Sequence, residues 1–258
     1  MSEELIVETR GPVLWITINR EARRNAVNAA VIGGIHSALD AADGDPAIRA
    51  VVLTGIGERA FCAGADLSSG SGSFEYDFAR IEDPFAMMLR RGRSLSKPLI
   101  ARINGHCVAG GLGLLGMCDL AVGVDSAKFG MPEVKIGVFP MMITSVLKDI
   151  IPRRKLYEMA LSGEMITAED ALAIGLLNYA VPRDELDARL DWLLGRILDK
   201  SPTAIRRGKH ALRIVADMPF DEALSFLESQ ISLVAMTEDA REGRAAFIEK
   251  RQPEWTGR

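Results

Sequence analysis

Three short stretches of the chain carry residue types from which a reaction on a carbonyl compound could be assembled. The first is INGHCVAGGLGLLGMCD, Ile103 to Asp119, in which Gly110, Gly111 and Gly113 stand close together. A strand ends near Ile103 and a helix starts near Gly110. The first amides of a helix have no intrahelical partner and point outward, and glycine there lets a substrate approach the backbone. Such an N–H, aimed at a carbonyl oxygen, stabilises the negative charge that develops on it, helped by the helix dipole. The same glycines would equally let the helix pack tightly on a sheet. No GxGxxG follows the first strand and no Gly-Lys-Ser or Gly-Lys-Thr occurs, so dinucleotide and P-loop phosphate sites have no support.

The second stretch is AFCAGADL, Ala60 to Leu67, which also follows an apolar strand and packs small residues around one glycine. Two such loops at the ends of separate strands could supply two amides to one oxygen. Asp66 reads either as a helix cap or loop hydrogen bond, or as an acid. Cys62 reads as a small buried hydrophobe, because nothing beside it resembles a base. The third stretch is FGMPEVKIGVFP, where Glu133 follows Pro132 in apolar surroundings. A carboxylate held there should have a raised pKa and suit proton transfer, unless it simply pairs with Lys135. His106 is a candidate base or a packed loop residue.

The elements that must position these groups alternate. LIVETRGPVLWITINR gives two extended segments about a Gly-Pro turn, and Ile32, Ile35 and Leu39 give a helix over Ala29 to Ala42. AVVLTG is a continuous apolar strand, as expected of a sheet covered on both faces. GIGERAFCAGADLSSGSGSFEY lacks a period and reads as a long loop or lid. A helix over Phe85 to Leu95, the strand PLIARI, the glycine segment, and LAVGVDSAKFG as a strand and turn follow it. MMITSVLKDI and IPRRKLYEMAL are helical, and Thr167 caps TAEDALAIGL with Asp170 at the capping-box position. From Ser201 only helices remain, and Phe220, Ala223, Leu224, Leu227, Ile231 and Val234 form one apolar stripe. The organisation is therefore α/β: a core over residues 1–200 and a helical region over 201–258. The stripe points to self-association, or else to closing the chain's own core.

Composition narrows the class. The 258 residues are 48% apolar and carry a formal charge of −4 without a long basic tract, which argues against a nucleic-acid binder. No apolar run reaches the roughly 18 residues of a membrane span, and the N-terminus has no secretory pattern, so a cytoplasmic setting is expected. Cys62, Cys107 and Cys118 fit buried thiols in a reducing compartment. His36, His106 and His210 form no metal-ligand spacing.

Taken together, NREARRNAVN, AFCAGADL, INGHCVAGGLGLLGMCDLAV, FGMPEVKIGVFP, SGEMITAEDALAIGLLNYAVP and EGRAAFIEKRQPEWTG resemble the crotonase superfamily, the enoyl-CoA hydratase/isomerase group, over essentially the whole chain. The resemblance implies a spiral of ββα units and a C-terminal helical trimerisation region, often in a dimer of trimers. It also implies an acyl-CoA thioester substrate, with no permanently bound cofactor and coenzyme A present only as part of that substrate. The thioester oxygen would be held by the amides of Ala65 and Gly110. Coenzyme A contacts would fall on Arg24, Asn25, Ala26 and Ala63, with Arg24 a phosphate partner, and on Asp66, Leu67 and Gly111 nearby. Phe85, Phe139, Met141 and Met142 suggest an apolar acyl pocket, or else ordinary core packing.

One departure bears on the reaction. Hydratases of the family carry two glutamates around a water. The second matches Glu133, and the position of the first holds Gly113. A lone carboxylate can take a proton from one carbon and return it to another, so the expectation is enoyl-CoA double-bond isomerisation with Glu133 as sole acid/base. The alternative is 2-enoyl-CoA hydration, with Glu75, Asp77, Glu82 or Asp83 as a helper. Outside catalysis, the rivals are a noncatalytic acyl-CoA binder and an oligomeric structural protein.

Overall fold

Two extended segments meet at Gly11, whose φ of +56° is the left-handed conformation a tight turn needs. They are β1 (Leu5–Arg10) and β2 (Val13–Ile18), antiparallel in register from Leu5↔Ile18 to Arg10↔Val13. The structure is a computed structural model and describes residues 3–67, 78–79 and 81–258. After α1 (Ala29–Gly44), capped by the Asn28 side chain accepting from the Val31 amide at 3.0 Å, the chain settles into a repeating path.

Each turn of that path lays one strand in a large sheet, one in a small sheet, and then a helix. The first turn is β3 (Ala50–Gly55), β4 (Ala60–Cys62) and α2 (Pro84–Ser94). The second is β5 (Leu99–Ile103), β6 (His106–Val108) and α3 (Gly110–Gly116). The third is β7 (Leu120–Val124), β8 (Lys128–Gly130) and α4 (Met141–Leu147). Two further strands, β9 (Met165–Thr167) and β10 (Tyr179–Val181), complete the sheets in the orders β1-β2-β3-β5-β7-β10 and β4-β6-β8-β9. From β2 onward the large sheet is parallel, whereas β9 runs antiparallel to β8. The architecture is the α/β spiral of ββα units.

Among the short strands that depart from the sequence reading, two bear on the site. β4 lies inside the segment read as loop, and β6 lies in what was read as a plain turn between Ile103 and Gly110. Three residues are too few to display a period of two, and β4 also shifts register against β6 between Ala60 and Cys62. What holds these strands is burial: Phe61 of β4, Cys107 of β6 and Phe129 of the neighbouring β8 are fully buried in the same core as Leu53 and Ile100. Burying such a ring is worth about 1.5–3 kcal/mol. Polar pins add to it. The buried Asn104 accepts from the Gly55 amide at 3.1 Å and donates to the Gly57 and Ala60 carbonyls at 2.8 and 3.2 Å, which ties the β5–β6 turn to the β3–β4 loop.

After α5 (Arg153–Ser162), α6 (Ala168–Ala173) starts in a capping box of Thr167 and Asp170, and α7 (Leu186–Leu198) packs on β7 and β10. The end of the chain is α8 (Pro202–Val215), α9 (Phe220–Ala235) and α10 (Glu238–Glu249). Lys209 fastens α8 to the core: its ammonium donates to Asp119 at 2.6 Å and to the Lys97 carbonyl at 2.8 Å. The buried Asp239 accepts from Ser201 at 2.7 Å and from the Thr256 and Gly257 amides at 2.8 and 3.0 Å, holding the C-terminal tail against the start of α8. The stripe on α9 does not close this chain's own core. None of its residues is buried, and Phe220, Leu224 and Ile231 are 77%, 53% and 65% exposed.

Candidate active site

The loop after β4 is held by main-chain bonds that leave one amide over. Ala65 makes a parallel bridge with Val27, in which the Val27 amide donates to the Gly64 carbonyl (2.8 Å) and the Asp66 amide to the Val27 carbonyl (2.9 Å). This arrangement uses the neighbours of Ala65 and turns its own N–H away from the bridge. Charge reinforces it. The Arg20 guanidinium donates to Asp66 at 2.6 Å, to Glu4 at 2.8 Å and to the Ala26 carbonyl. Asp66 is therefore a buried member of a loop-fastening ion pair, the role of a loop hydrogen bond rather than of an acid.

α3 presents the second amide. Its N-cap, Ala109, has φ 52° and ψ −127°, a conformation that costs a residue with a side chain about 1–3 kcal/mol. The Ala109 amide donates to the Gly130 carbonyl at 2.9 Å, which fixes the next peptide at the head of the helix. Gly110 then starts α3 with its N–H free of any intrahelical acceptor. The two loops touch here. A Cβ built on Gly110 would lie 3.6 Å from the Ala65 nitrogen, and one built on Gly64 would lie 3.3 Å from the Gly110 nitrogen. Among the described residues neither amide donates to an acceptor. Two adjacent unpaired donors can hold one oxygen that gains charge during reaction.

The carboxylate comes from the same strand pairing. β8 pairs with β6 through Val108↔Gly130, so the one-turn helix Pro132–Ile136 follows directly beside the head of α3. Glu133 in that helix is buried, and among the described residues its Oε2 has no hydrogen-bond partner. Lys135, the candidate partner, pairs instead with Glu164 at 2.8 Å. Burial pushes the Glu133 pKa up from its ordinary 4.5, against a hydrogen bond from its own backbone amide. A base must be ionised to work, and a raised pKa means that it is protonated at higher pH. We expect kcat/KM to fall on the acid side with a midpoint above 4.5; a pH–rate profile flat down to that value would count against Glu133 as base.

Gly113 lies one turn into α3, on the face it shares with Gly110. A Cβ there would meet the Phe85 ring, at 2.9 Å from Cζ and 3.3 Å from Cε1, with Leu89 at 3.6 Å. The ring of Phe85, from the first turn of α2, thus stands where a side chain at 113 would begin. Glu82 pairs with Arg90 at 2.9 Å and Asp83 caps α2 by accepting from the Ala86 amide at 3.0 Å. Glu75 and Asp77 lie outside the described residues.

Arg24 and Asn25 occupy left-handed conformations at φ 51° and 57°, and the Ala63 amide donates to the Arg24 carbonyl at 3.1 Å, so this loop and that of Ala26 lie against Ala63. Asn25 is itself a buried pin, donating to the Ala60 and Ile56 carbonyls at 2.7 and 3.0 Å. Gly111 is pressed on Cys62, whose carbonyl lies 2.6 Å from where its Cβ would be. Leu67, Phe139, Met141 and Met142 are exposed. The Cys62 thiol is buried and pushed up to about 12, which makes it unreactive. His106 accepts from the Lys128 amide at 3.1 Å on the rim of the small sheet. Among the described residues no three His, Cys, Asp or Glu side chains gather as metal ligands, and no helix is long and apolar enough to cross a membrane.

Residues 8–258 match the family described as Enoyl-CoA hydratase/isomerase. The 2,3-dehydroadipyl-CoA hydratase of Escherichia coli K12 is 36% identical over 263 residues, covering 99% of each chain. The enoyl-CoA hydratase EchA19 of Mycobacterium tuberculosis H37Rv is 36% identical, over 99% of this chain and 97% of its own. Among solved structures, an enoyl-CoA hydratase of Mycobacterium smegmatis superposes with a TM-score of 0.91 at 31% identity, covering 98% of each chain.

Proposed function

The chain belongs to the enoyl-CoA hydratase/isomerase family, the crotonase superfamily, and is an acyl-CoA-processing enzyme; on that footing we propose that it adds water to, or removes it from, a 2-enoyl-CoA thioester. The observation that carries the reading is the buried Oε2 of Glu133 together with the amides of Ala65 and Gly110, none of which has a hydrogen-bond partner among the described residues. Ala65 and Gly110 hold the thioester oxygen. Glu133 takes a proton from a water as that water's oxygen bonds to the β carbon, and the electron pair of the double bond moves onto the thioester as an enolate. Glu133 then returns the proton to the α carbon, so one carboxylate closes the sum. The amides lower the barrier because they already face the oxygen on which charge grows; one such donor is worth about 3 kcal/mol.

The relatives move the expectation drawn from the single carboxylate. Those named above are called hydratases, which supports the hydro-lyase reading over isomerisation. Isomerisation stands as the second reading, favoured by Gly113 and the ring that stands in place of a second acid. Both share the enolate and differ in what Glu133 deprotonates first: a water, or the α carbon of a 3-enoyl ester.

Purified protein with 2-enoyl-CoA and 3-enoyl-CoA esters, water addition and double-bond migration being followed separately, tests the reading. Water addition as the faster process supports it, and migration alone would replace it by the second. A related expectation concerns Gly113→Glu. Alone it drives the new side chain into Phe85; with Phe85→Ala it gains room, and hydration should rise about tenfold or more over Phe85→Ala alone. No rise in the double variant would mean that a second acid is not what limits hydration.

For assembly we propose a trimer, or a dimer of trimers, covering the exposed stripe of α9. Burial of its Phe220, Leu224 and Ile231 would supply the apolar area that α9 lacks in one chain. The contacts of Arg24, Asn25, Ala26 and Ala63 with coenzyme A remain part of this reading, supported by the closeness of their loop to Ala65. A reducing, cytoplasmic setting accords with the free thiols of Cys62, Cys107 and Cys118.

A further inference from the structure

We propose that Phe85 is a specificity-determining residue of this site: its ring is the wall against which the carbons beyond the thioester carbonyl pack, and it selects acyl groups unbranched at the β carbon. The inference rests on the placement of the thioester oxygen at Ala65 and Gly110. It goes beyond that reading by naming the surface that reads the acyl group.

The geometry is set by the period of α3. Residues 110 and 113 share a face, so a thioester oxygen on the Gly110 amide directs the carbons that follow along the face where Gly113 has no side chain. That space is not empty. The Phe85 ring reaches to 2.9 Å of the absent Cβ, with Leu89 behind it at 3.6 Å. A straight acyl chain can lie flat against an aromatic face at ordinary contact distance, whereas a tetrahedral β carbon that carries a methyl branch puts one methyl out of that plane and into the ring. Phe85 is half-buried and packed on the core, and Leu89, one turn later on α2, is buried. The ring therefore cannot give way as an exposed side chain would. It also offers no hydrogen-bond donor or acceptor, so a hydroxyl or carboxylate beyond the β carbon and facing the ring would lose water without a partner. The substrate class that fits is a straight-chain acyl group, apolar next to the reacting double bond.

Saturated acyl-CoA esters have no double bond to react and separate recognition from turnover. Binding of butyryl-CoA and isovaleryl-CoA, which differ by a β-methyl group, is to be measured by calorimetry for wild type, Phe85→Ala and Phe85→Leu. Wild type should prefer butyryl-CoA by tenfold or more, the range a misplaced methyl commands. Phe85→Ala should bring the ratio within about threefold, with Phe85→Leu between, while affinity for free coenzyme A stays unchanged in all three. Phe85→Leu keeps an apolar side chain and serves as the test if Phe85→Ala does not fold. An unchanged ratio in the folded variant, or equal weakening of both esters, would overturn the assignment. Failure of the reaction reading shows elsewhere, as absent turnover of every unsaturated ester, and leaves these binding ratios to decide on Phe85 alone.

Discussion

Glu133→Gln should abolish turnover, a fall of roughly 10²–10⁴-fold in kcat, while binding of saturated acyl-CoA esters stays within about twofold of wild type. The amide keeps the shape of the carboxyl group and removes its proton chemistry, so the affinity that comes from backbone amides and coenzyme A contacts is untouched. Folding should not suffer. Burial raises the Glu133 pKa above that of the unfolded chain. The group's contribution is therefore fully present below the unfolded value and is lost as pH rises through the folded one. At pH 7 the neutral glutamine avoids that loss, and Tm should equal or exceed that of wild type. Full activity in Glu133→Gln would remove this residue from the mechanism. A large fall in Tm would show that its carboxylate has a structural partner.

Gly64→Ala is the second large effect expected. Gly64 has φ +97°, and a Cβ there would lie 2.7 Å from Cβ of Ala109 and 3.3 Å from the Gly110 nitrogen. The substitution combines a strained backbone with a wedge between the two amides. A donor displaced from the oxygen costs about 10²–10³ in kcat, and the backbone strain costs about 1–3 kcal/mol of stability. Gly11→Ala separates the two causes. Gly11 also has positive φ, at +56°, but a Cβ there meets nothing within 4 Å. It should lose stability and keep its kcat. Parallel losses of kcat in both variants would point to strain alone and leave the amide pair without support.

Much of this was legible in the chain because it is local. AVVLTG announced a covered strand, Ile32, Ile35 and Leu39 a helix, and Thr167 with Asp170 a capping box, all from spacings of a few residues. Pro132 and the apolar residues around Glu133 announced a carboxylate out of water. What could not be read depends on contacts between distant positions. The strands β4 and β6 exist because Phe61 and Cys107 are buried in a core shared with distant strands, and three residues carry no period of their own. Gly113 was legible as a missing acid, but that Phe85 fills the gap is a contact between residues from different turns of the spiral. Lys135 beside Glu133 in sequence suggested an ion pair, and the one-turn helix sends it to Glu164 instead. Asn25, Asn104 and Arg20, which fasten the loops of the site, could have been suspected only as polar side chains among apolar neighbours; their acceptors, carbonyls for the two asparagines and chiefly the carboxylates of Asp66 and Glu4 for Arg20, come from elsewhere in the chain, and sequence does not show those.

The most direct measurement is a crystal structure of the Glu133→Gln variant with a 2-enoyl-CoA ester bound. The thioester oxygen is predicted to lie about 2.7–3.1 Å from the nitrogens of both Ala65 and Gly110, with the residue 133 side chain facing the α and β carbons and Phe85 against the acyl group. An ester bound with that oxygen in solvent, or on side chains away from the two amides, would contradict the account at its centre.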